Sequence, residues 1–269
     1  MTLLFAMISA ALFGLTVHFA RRGLDYLDSL SGTVITVLTI AGIFWALAPF
    51  SIDAAWWNTR AALLFAACGL VYPALSQQTQ VMAVEKLGTA LGAALGSVSP
   101  AFAAVLAVML LGETLTPRIV AGILLMIAAG VLSSVGRAGI PRNWPLWALW
   151  LPVAASAFRG VTQPVSKIGL LEIPSPFFSV LVMSSVSAVV VILLRLAQRR
   201  PWPLPAIRRG LPWFMANGAA SGFGILALFA AIESGEVVIA APLVSTTPLW
   251  TLLFGWLVFR REVLDSRHL

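Results

Sequence analysis

The chain of 269 residues is 60% hydrophobic and only 10% charged, and its formal net charge is +7. Soluble domains carry about 25% charged residues, so this composition excludes an ordinary soluble domain and indicates a membrane protein. The basic residues lie in short loops between apolar runs, which is typical of topology signals and not of a nucleic-acid-binding face. The single cysteine, Cys68, excludes a disulfide framework and a cysteine-rich metal site.

Nine apolar runs are long enough, at roughly 20 residues each, to span a bilayer. They cover about 2–20, 30–51, 61–84, 87–111, 118–136, 144–168, 174–194, 211–232 and 237–259. No Lys or Arg precedes the first run, whereas Arg21 and Arg22 follow it. A secretion signal has the opposite polarity, so we interpret this run as the first membrane helix.

The basic residues also predict the orientation in the membrane. Loops after the odd-numbered runs hold thirteen Lys or Arg residues, whereas loops after the even-numbered runs hold Arg60 and Arg118, with Lys167 at a helix end. Positive residues concentrate on the cytoplasmic side. We therefore predict an external N-terminus and a cytoplasmic loop at 195–209.

The two halves of the chain are similar to each other. Residues 81–100 and 229–248 align without a gap, and residues 11–21 resemble residues 157–167. The pairs include Glu85 with Glu233, Pro100 with Pro248, Gly14 with Gly160, and Arg21 with Lys167. Five spans per repeat place the two copies in opposite orientations, as in many secondary transporters. The predicted fold is therefore an all-α integral membrane protein with nine transmembrane helices from two inverted five-helix repeats.

Three short motifs identify a family resemblance. Within the fourth run, an apolar stretch begins with Ser-x-Ser-Pro, from Ser97 to Pro100, and is closed by Gly112-Glu113, while Ala-x-Glu-Lys precedes the run at 83–86. Together with the five-helix halves, these motifs resemble the EamA-type members of the drug/metabolite transporter superfamily. The resemblance implies a secondary carrier in the cell membrane, in bacteria the inner membrane, that exports a small organic metabolite by alternating access. It implies neither an enzyme nor a cofactor.

The resemblance divides the chain into a first EamA-like repeat at 1–137 and a second at 138–269. The chain departs from the family pattern at two places. The second repeat reaches Leu269 where a counterpart of the run 118–136 would begin, so we expect it to be truncated after four helices. Glu262 also lies one place later than the offset between the repeats predicts.

Polar residues that occur in only one repeat are the best candidates for a solute site, because shared residues serve the shared packing. Arg159, Gln163 and Lys167 follow one helix face at i, i+4 and i+8. A second such face begins at Tyr72 and includes Ser76 and Gln80, with Gln77 beside it. A buried charge in hydrocarbon costs at least about 2.5 kcal/mol, so it should face a cavity or a partner.

These residues predict a mid-membrane cavity between the halves, lined by Arg159, Gln163, Gln77, Gln80 and Tyr72. Arg159 without a nearby intramembrane carboxylate suits an anionic or zwitterionic solute, because arginine binds carboxylates bidentately. The alternatives are that Arg159 anchors backbone carbonyls and that the glutamines form interhelical hydrogen bonds.

Lys167 and His18 are further candidates for contact with the solute. Lys167 lies near a helix end, where its ammonium can instead extend to the interface. His18 is aligned with Pro164 and either titrates near neutral pH or stays neutral and hydrogen-bonded. Separately, Gly88, Gly92 and Gly96 recur every four residues and predict close approach of a neighbouring helix.

Two other classes of protein compete with a carrier. A truncated or partner-dependent membrane scaffold without transport activity is the first, and a membrane enzyme or a retinal-binding sensor using Lys167 is the second. The sequence contains no His/Asp/Glu cluster with metal-ligand spacing and no activated nucleophile, so we predict no catalytic or metal site. The predicted partners are the lipid bilayer and a small solute but no nucleic acid, and the oligomeric state stays open.

Overall fold

The computed structural model describes residues 1–96, 98–135, 145–198 and 204–257, and these residues form helices joined by short connections. No strand occurs in these ranges, and short 3₁₀ turns lie at Ala48–Phe50, Ala54–Asn58 and Leu146–Leu149. The helices are α1 (Thr2–Leu24), α2 (Ser29–Leu47), α3 (Arg60–Val71), α4 (Ala74–Gly96), α5 (Ser99–Leu111), α6 (Pro117–Val135), α7 (Trp150–Glu172), α8 (Pro176–Ala197), α9 (Leu204–Glu233), α10 (Val237–Val244) and α11 (Thr247–Leu257).

These helices correspond to the nine predicted spans, because several spans are built from more than one helical piece. The third span is α3 with the first part of α4, and the fourth is the rest of α4 with α5. The two parts of α4 meet at Gly88, whose φ of 80° suits glycine. The ninth span is α10 with α11. Two predicted connections are wrong: the break expected at 85–86, between the third and fourth runs, lies at Gly88, and α9 begins at Leu204, inside the loop expected at 195–209.

Local sequence signals account for the helix boundaries. The side chains of Asp28, Thr59 and Ser175 accept hydrogen bonds from the first turns of α2, α3 and α8. Helix α3 ends just before Tyr72-Pro73, as expected for a residue that cannot donate a backbone hydrogen bond. Pro100 and Pro248 are each the second residue of their helix, α5 and α11, where a missing N–H costs nothing.

Equivalent helices of the two repeats run in opposite directions. At its start, α1 places the Thr2 hydroxyl 3.1 Å from the Ser234 hydroxyl, beside the connection between α9 and α10. At its end, α7 places the Lys167 ammonium 3.0 Å from the Gly235 carbonyl oxygen in the same connection. One membrane face therefore carries the beginning of α1 and the end of α7. We call it the N-terminal face, and the opposite face, where Arg21 and Arg22 lie, the Arg-rich face.

The packing between the halves is reciprocal. Gly14 of α1 lies against α11, where a Cβ on the glycine would be 2.7 Å from Trp250 Cβ. Gly160 of α7 lies against α5, where a Cβ would be 2.5 Å from Phe102 Cβ. Trp250 and Phe102 are 148 residues apart, the offset at which residues 81–100 align with 229–248. Both repeats therefore make the same close helix contact with each other.

The outer surface of the bundle is apolar. Leu63, Met109, Leu125 and Leu171 are each at least 70% exposed. Six stretches within the described residues are long and apolar enough to cross a membrane: Thr2–Leu24, Ser29–Phe50, Arg60–Gly88, Pro176–Ala197, Ala206–Glu233 and Val237–Leu257. Such large apolar patches are unusual on a soluble monomer, and they suit contact with lipid.

Candidate functional site

A cavity lies between the two repeats, beside the break between α4 and α5 and the break between α10 and α11. Its walls come from α1, the α3–α4 connection, α4, α5, α7, α9, α10 and α11. All five residues predicted to surround a mid-membrane cavity line it: Tyr72, Gln77, Gln80, Arg159 and Gln163. Other lining residues are Phe13, Thr16, Val17, Ser76, Gly96, Ser99, Leu228, Ala241, Val244, Ser245, Thr247 and Pro248.

Arg159 is the only formally charged residue among the described residues that line this cavity. Its Nη2 donates a long hydrogen bond of 3.4 Å to Gln80 Oε1. Its Nε is buried and has no hydrogen-bond partner among the described residues. No described carboxylate forms an ion pair with it. An arginine in this setting carries a full positive charge without a counter-ion.

Tyr72 and Gln163 bring two more unsatisfied polar atoms to the site. Both side chains are buried, with 2% and 5% of their surface exposed. Tyr72 Oη and Gln163 Oε1 lack a hydrogen-bond partner among the described residues. Most buried polar atoms in proteins are hydrogen-bonded, so three such atoms around one cavity mark it as a place for a polar ligand or water.

The glutamines of α4 serve two purposes. Gln77 Nε2 donates to Ser221 Oγ of α9 over 3.0 Å, which is the interhelical hydrogen bond considered as the alternative. Gln80 instead accepts from Arg159 and holds the guanidinium at the cavity wall. Gly96 borders this pair, and a Cβ there would lie at ordinary contact distance, 3.5 Å from Arg159 Nη2.

The glycine stripe on α4 does not form the predicted close helix contact. A Cβ on Gly88 would meet nothing within 4 Å, and a Cβ on Gly92 would only reach ordinary contact distance. Gly88 instead serves the positive φ at the break, and a Cβ on Gly96 would likewise only reach ordinary contact distance.

Hydroxyl groups satisfy the backbone at the break between α10 and α11. Ser245, Thr246 and Thr247 donate to carbonyls three or four residues earlier, over 2.7–3.0 Å. These hydroxyls are therefore occupied by backbone, as expected for polar residues at a membrane helix break. Ser97, in the corresponding motif of the first repeat, lies outside the described residues.

The helix ends at the cavity contribute little net potential. α4 ends and α5 begins beside it, and the same holds for α10 and α11. A helix C-terminus carries about half a negative charge and an N-terminus about half a positive one, so adjacent ends largely cancel. The full charge of Arg159 therefore determines the sign of the potential in the cavity.

Lys167 and His18 do not belong to the site. Lys167 Nζ donates to the carbonyl oxygens of Ile232, Glu233 and Gly235 at the end of α9. His18 is buried, and its Nε2 lies 2.8 Å from the carbonyl oxygen of Thr251 in α11. Neither lines the cavity, so the structure does not bring either of them together with the other predicted site residues.

The predicted motif Gly112-Glu113 has a role that local reading of the sequence missed. Gly112 ends α5 in the left-handed region, with φ 66°. The Glu113 carboxylate then accepts hydrogen bonds from the backbone N–H groups of Val237 and Val238, over 2.9 and 2.8 Å. The motif therefore connects the end of the fourth span to the start of the ninth. The corresponding corner at 260–262 lies outside the described residues.

An apolar helical bundle of two inverted repeats around a polar cavity at their interface defines a multi-pass membrane transporter. Within the described residues there is no group of three His, Cys, Asp or Glu side chains that would hold a metal ion.

Comparisons with known proteins identify the family. The model of the EamA-like transporter family matches residues 1–135 and again 145–269, so the chain belongs to this family. A protein of Sinorhizobium sp described as an uncharacterized transporter in the cobO 3' region is 30% identical over 116 residues, which cover 42% of this chain and 78% of that protein. A crystal structure of a protein with 18% identity superposes with a TM-score of 0.75 over 95% of this chain and 87% of the other, which shows a shared fold. The protein is a multi-pass transporter of the cell membrane.

Proposed function

We propose that the protein is a secondary carrier that exports a small organic solute with an anionic group by alternating access, and that the solute binds in the cavity at Arg159. The observation that carries the proposal is the guanidinium of Arg159, which lines the cavity without a carboxylate partner among the described residues. A cation in a low-dielectric site is costly to leave without a counter-ion. A scaffold gives no reason to keep such a charge, whereas a solute carboxylate supplies the missing partner.

The surrounding atoms support a polar solute of limited size. A solute carboxylate bound to the Arg159 guanidinium would share the cavity with Tyr72. The Tyr72 hydroxyl has no partner among the described residues and can donate a hydrogen bond to the solute. The unpaired Gln163 Oε1 is an acceptor, and it suits an N–H or O–H donor on the same solute. The apolar part of the wall, with Phe13, Val17 and Leu228, provides contact for a short carbon skeleton.

The cavity is smaller than a usual site for an organic ligand, so it must widen before the solute can bind. It measures about 80 Å³, whereas sites for small organic ligands usually measure roughly 300–1,000 Å³. One water needs roughly 15 Å³ of this volume, so the cavity of about 80 Å³ has room for about five waters. We infer that solute entry separates the two halves around the cavity, which is the movement that alternating access requires.

Transport by the purified protein in lipid vesicles tests the proposal. Vesicles preloaded with small carboxylates should release or exchange them faster than vesicles without protein, and Arg159→Gln should abolish the difference. Uncharged analogues of the same size serve as the matched solute control. Equal rates for the carboxylate and its neutral amide would contradict an anion-binding role of Arg159, and no exchange across a broad set of metabolites would contradict the carrier function.

A further inference from the structure

Two charged side chains from different helices hold the connection between α9 and α10. Lys167 of α7 donates to three carbonyl oxygens at the end of α9 and in the connection that follows. Glu113, directly after α5, accepts from the first two backbone N–H groups of α10. A helix C-terminus favours a cation and a helix N-terminus favours an anion, so each group has the sign that its helix end prefers. We call this pair of side chains the junction latch.

The junction latch lies between the cavity and the N-terminal face. The cavity wall on α10 includes Ala241 and Val244. One turn nearer the N-terminal face, Val237 and Val238 are fully buried and do not line the cavity. Their backbone N–H groups are the ones that Glu113 binds. Holding the start of α10 against the end of α5 therefore places these valines as a plug on this side of the cavity.

On the Arg-rich face, the contact made by Lys167 has no counterpart among the described residues, and the counterpart of Glu113, at 260–262, lies outside them. Arg21, the repeat counterpart of Lys167, is exposed and donates no side-chain hydrogen bond within the described ranges. Lys86, beside the Gly88 break, pairs only with its exposed neighbour Glu85, over 3.3 Å. Among the described residues, the latch contact of Lys167 is therefore specific to the N-terminal face.

We propose that the junction latch, Glu113 and Lys167, is the gate that closes the cavity toward the N-terminal face, and that it must release the α9–α10 connection before the cavity opens there. This inference rests on the proposed carrier function. Glu113 and Lys167 act on the positions of α9 and α10, so they are positioning residues and do not touch the solute.

Accessibility of a single cysteine tests the gate without any solute. Ala241, on the cavity side of the plug, is replaced by cysteine in a Cys68→Ala background. A membrane-impermeant thiol reagent is then added to one face at a time. We expect slow labelling from the N-terminal face in the otherwise unchanged protein. Removing one charged side chain of the latch should raise that rate at least about tenfold, because glutamine loses the charge assistance of at least one hydrogen bond, which is about 1.5 kcal/mol or more.

The variants for this experiment are Lys167→Gln and Glu113→Gln, each combined with Ala241→Cys. Matched controls remove exposed charges near the same face, with Glu172→Gln for the acid and Arg118→Gln for the base, and neither should change the rate. Lys167→Arg keeps a cationic donor and should label nearly as slowly as the parent. Labelling at the parent rate in both latch variants would overturn the proposal.

A second measurement separates gating from general loosening of the fold. The native Cys68 is buried in α3 and contacts Ser166 of α7, so its reactivity reports on the packing of the helix that carries Lys167. In Lys167→Gln and Glu113→Gln with Cys68 retained and Ala241 unchanged, Cys68 should stay as unreactive as in the parent. A parallel rise at Cys68 would show that the latch holds the fold and would overturn the gate. A parent protein that transports nothing would remove the carrier function, yet it would leave the labelling result on the gate intact.

Discussion

Replacing Arg159 with glutamine should change stability and function in opposite directions. A charge within the hydrocarbon region costs at least about 2.5–3.5 kcal/mol. Among the described residues, the Arg159 guanidinium makes one hydrogen bond, from Nη2 to Gln80 Oε1. Its length of 3.4 Å lies beyond the usual range. Such a bond contributes less than the roughly 1.5 kcal/mol at the low end for charged pairs. Removing the charge should therefore stabilise the solute-free protein by about 1–2 kcal/mol.

The same change removes the proposed principal contact with the solute. A bidentate pair with a carboxylate consists of two charge-assisted hydrogen bonds, each contributing about 1.5–3 kcal/mol. Allowing for hydrogen bonds that glutamine keeps, we expect a loss of about 2–4 kcal/mol, or roughly 30- to 1,000-fold in affinity. Arg159→Lys retains the charge but not the planar fork, so it should lose roughly tenfold.

Thermal unfolding of the purified variants without solute, together with the KM for carboxylate exchange in vesicles, tests both halves of this reasoning. A gain of 1–2 kcal/mol corresponds to a rise in Tm of roughly 2–8 °C for a domain of about this size. A melting temperature several degrees lower in Arg159→Gln would show that the guanidinium supports the fold. Near-normal exchange by both variants would remove Arg159 from the binding site.

Three further predictions follow from the same contacts. Gly160→Ala should destabilise the protein by about 1–3 kcal/mol in thermal unfolding, because the new Cβ would lie 2.5 Å from Phe102 Cβ; Gly122→Ala, with nothing within 4 Å, is the matched control and should be neutral or stabilising. His18→Phe should lower stability by about 1 kcal/mol through loss of the contact with the Thr251 carbonyl, while the KM for solute stays unchanged; a tenfold rise in KM would return His18 to the site. A cysteine at position 2 should react with an impermeant reagent added outside intact cells and a cysteine at position 208 should not, and the reverse pattern would overturn the orientation predicted from the Lys/Arg distribution.

The positions of the cavity residues were predictable because of the cost of polar groups in lipid. Arg159, Gln163, Gln80 and Tyr72 occur in only one repeat, so shared packing did not explain them, and hydrocarbon does not tolerate them without partners. All of them line the cavity. The break at Pro73 was predictable for a local reason, since a proline cannot continue the hydrogen-bond ladder.

The occurrence of a polar residue in only one repeat did not reveal the hydrogen-bond partners of Lys167, and the reason is physical. Its partners are backbone carbonyls 65–68 residues away, and a carbonyl is present in every residue, so no sequence pattern marks it as an acceptor. Glu113 was missed for the converse reason. Gly112-Glu113 has the form of a local helix end, and the backbone N–H groups that its carboxylate binds lie in the other repeat. Contacts from a side chain to distant backbone were therefore the part of the structure that residue patterns did not reveal.

The close glycine contacts also constrain how the cavity can widen. Gly14 and Gly160 leave no room for even a methyl group against α11 and α5, and such packed contacts resist sliding. α1 should therefore move together with α11, and α7 together with α5, as two units on opposite sides of the cavity. The residues at the two breaks, Gly96 and Ser99 on one unit and Val244 and Thr247 on the other, line the space between them. Separating the units enlarges the space around Arg159 without breaking either glycine contact, and the junction latch, which joins α7 and the end of α5 to α10, is the connection that opposes this separation on the N-terminal face.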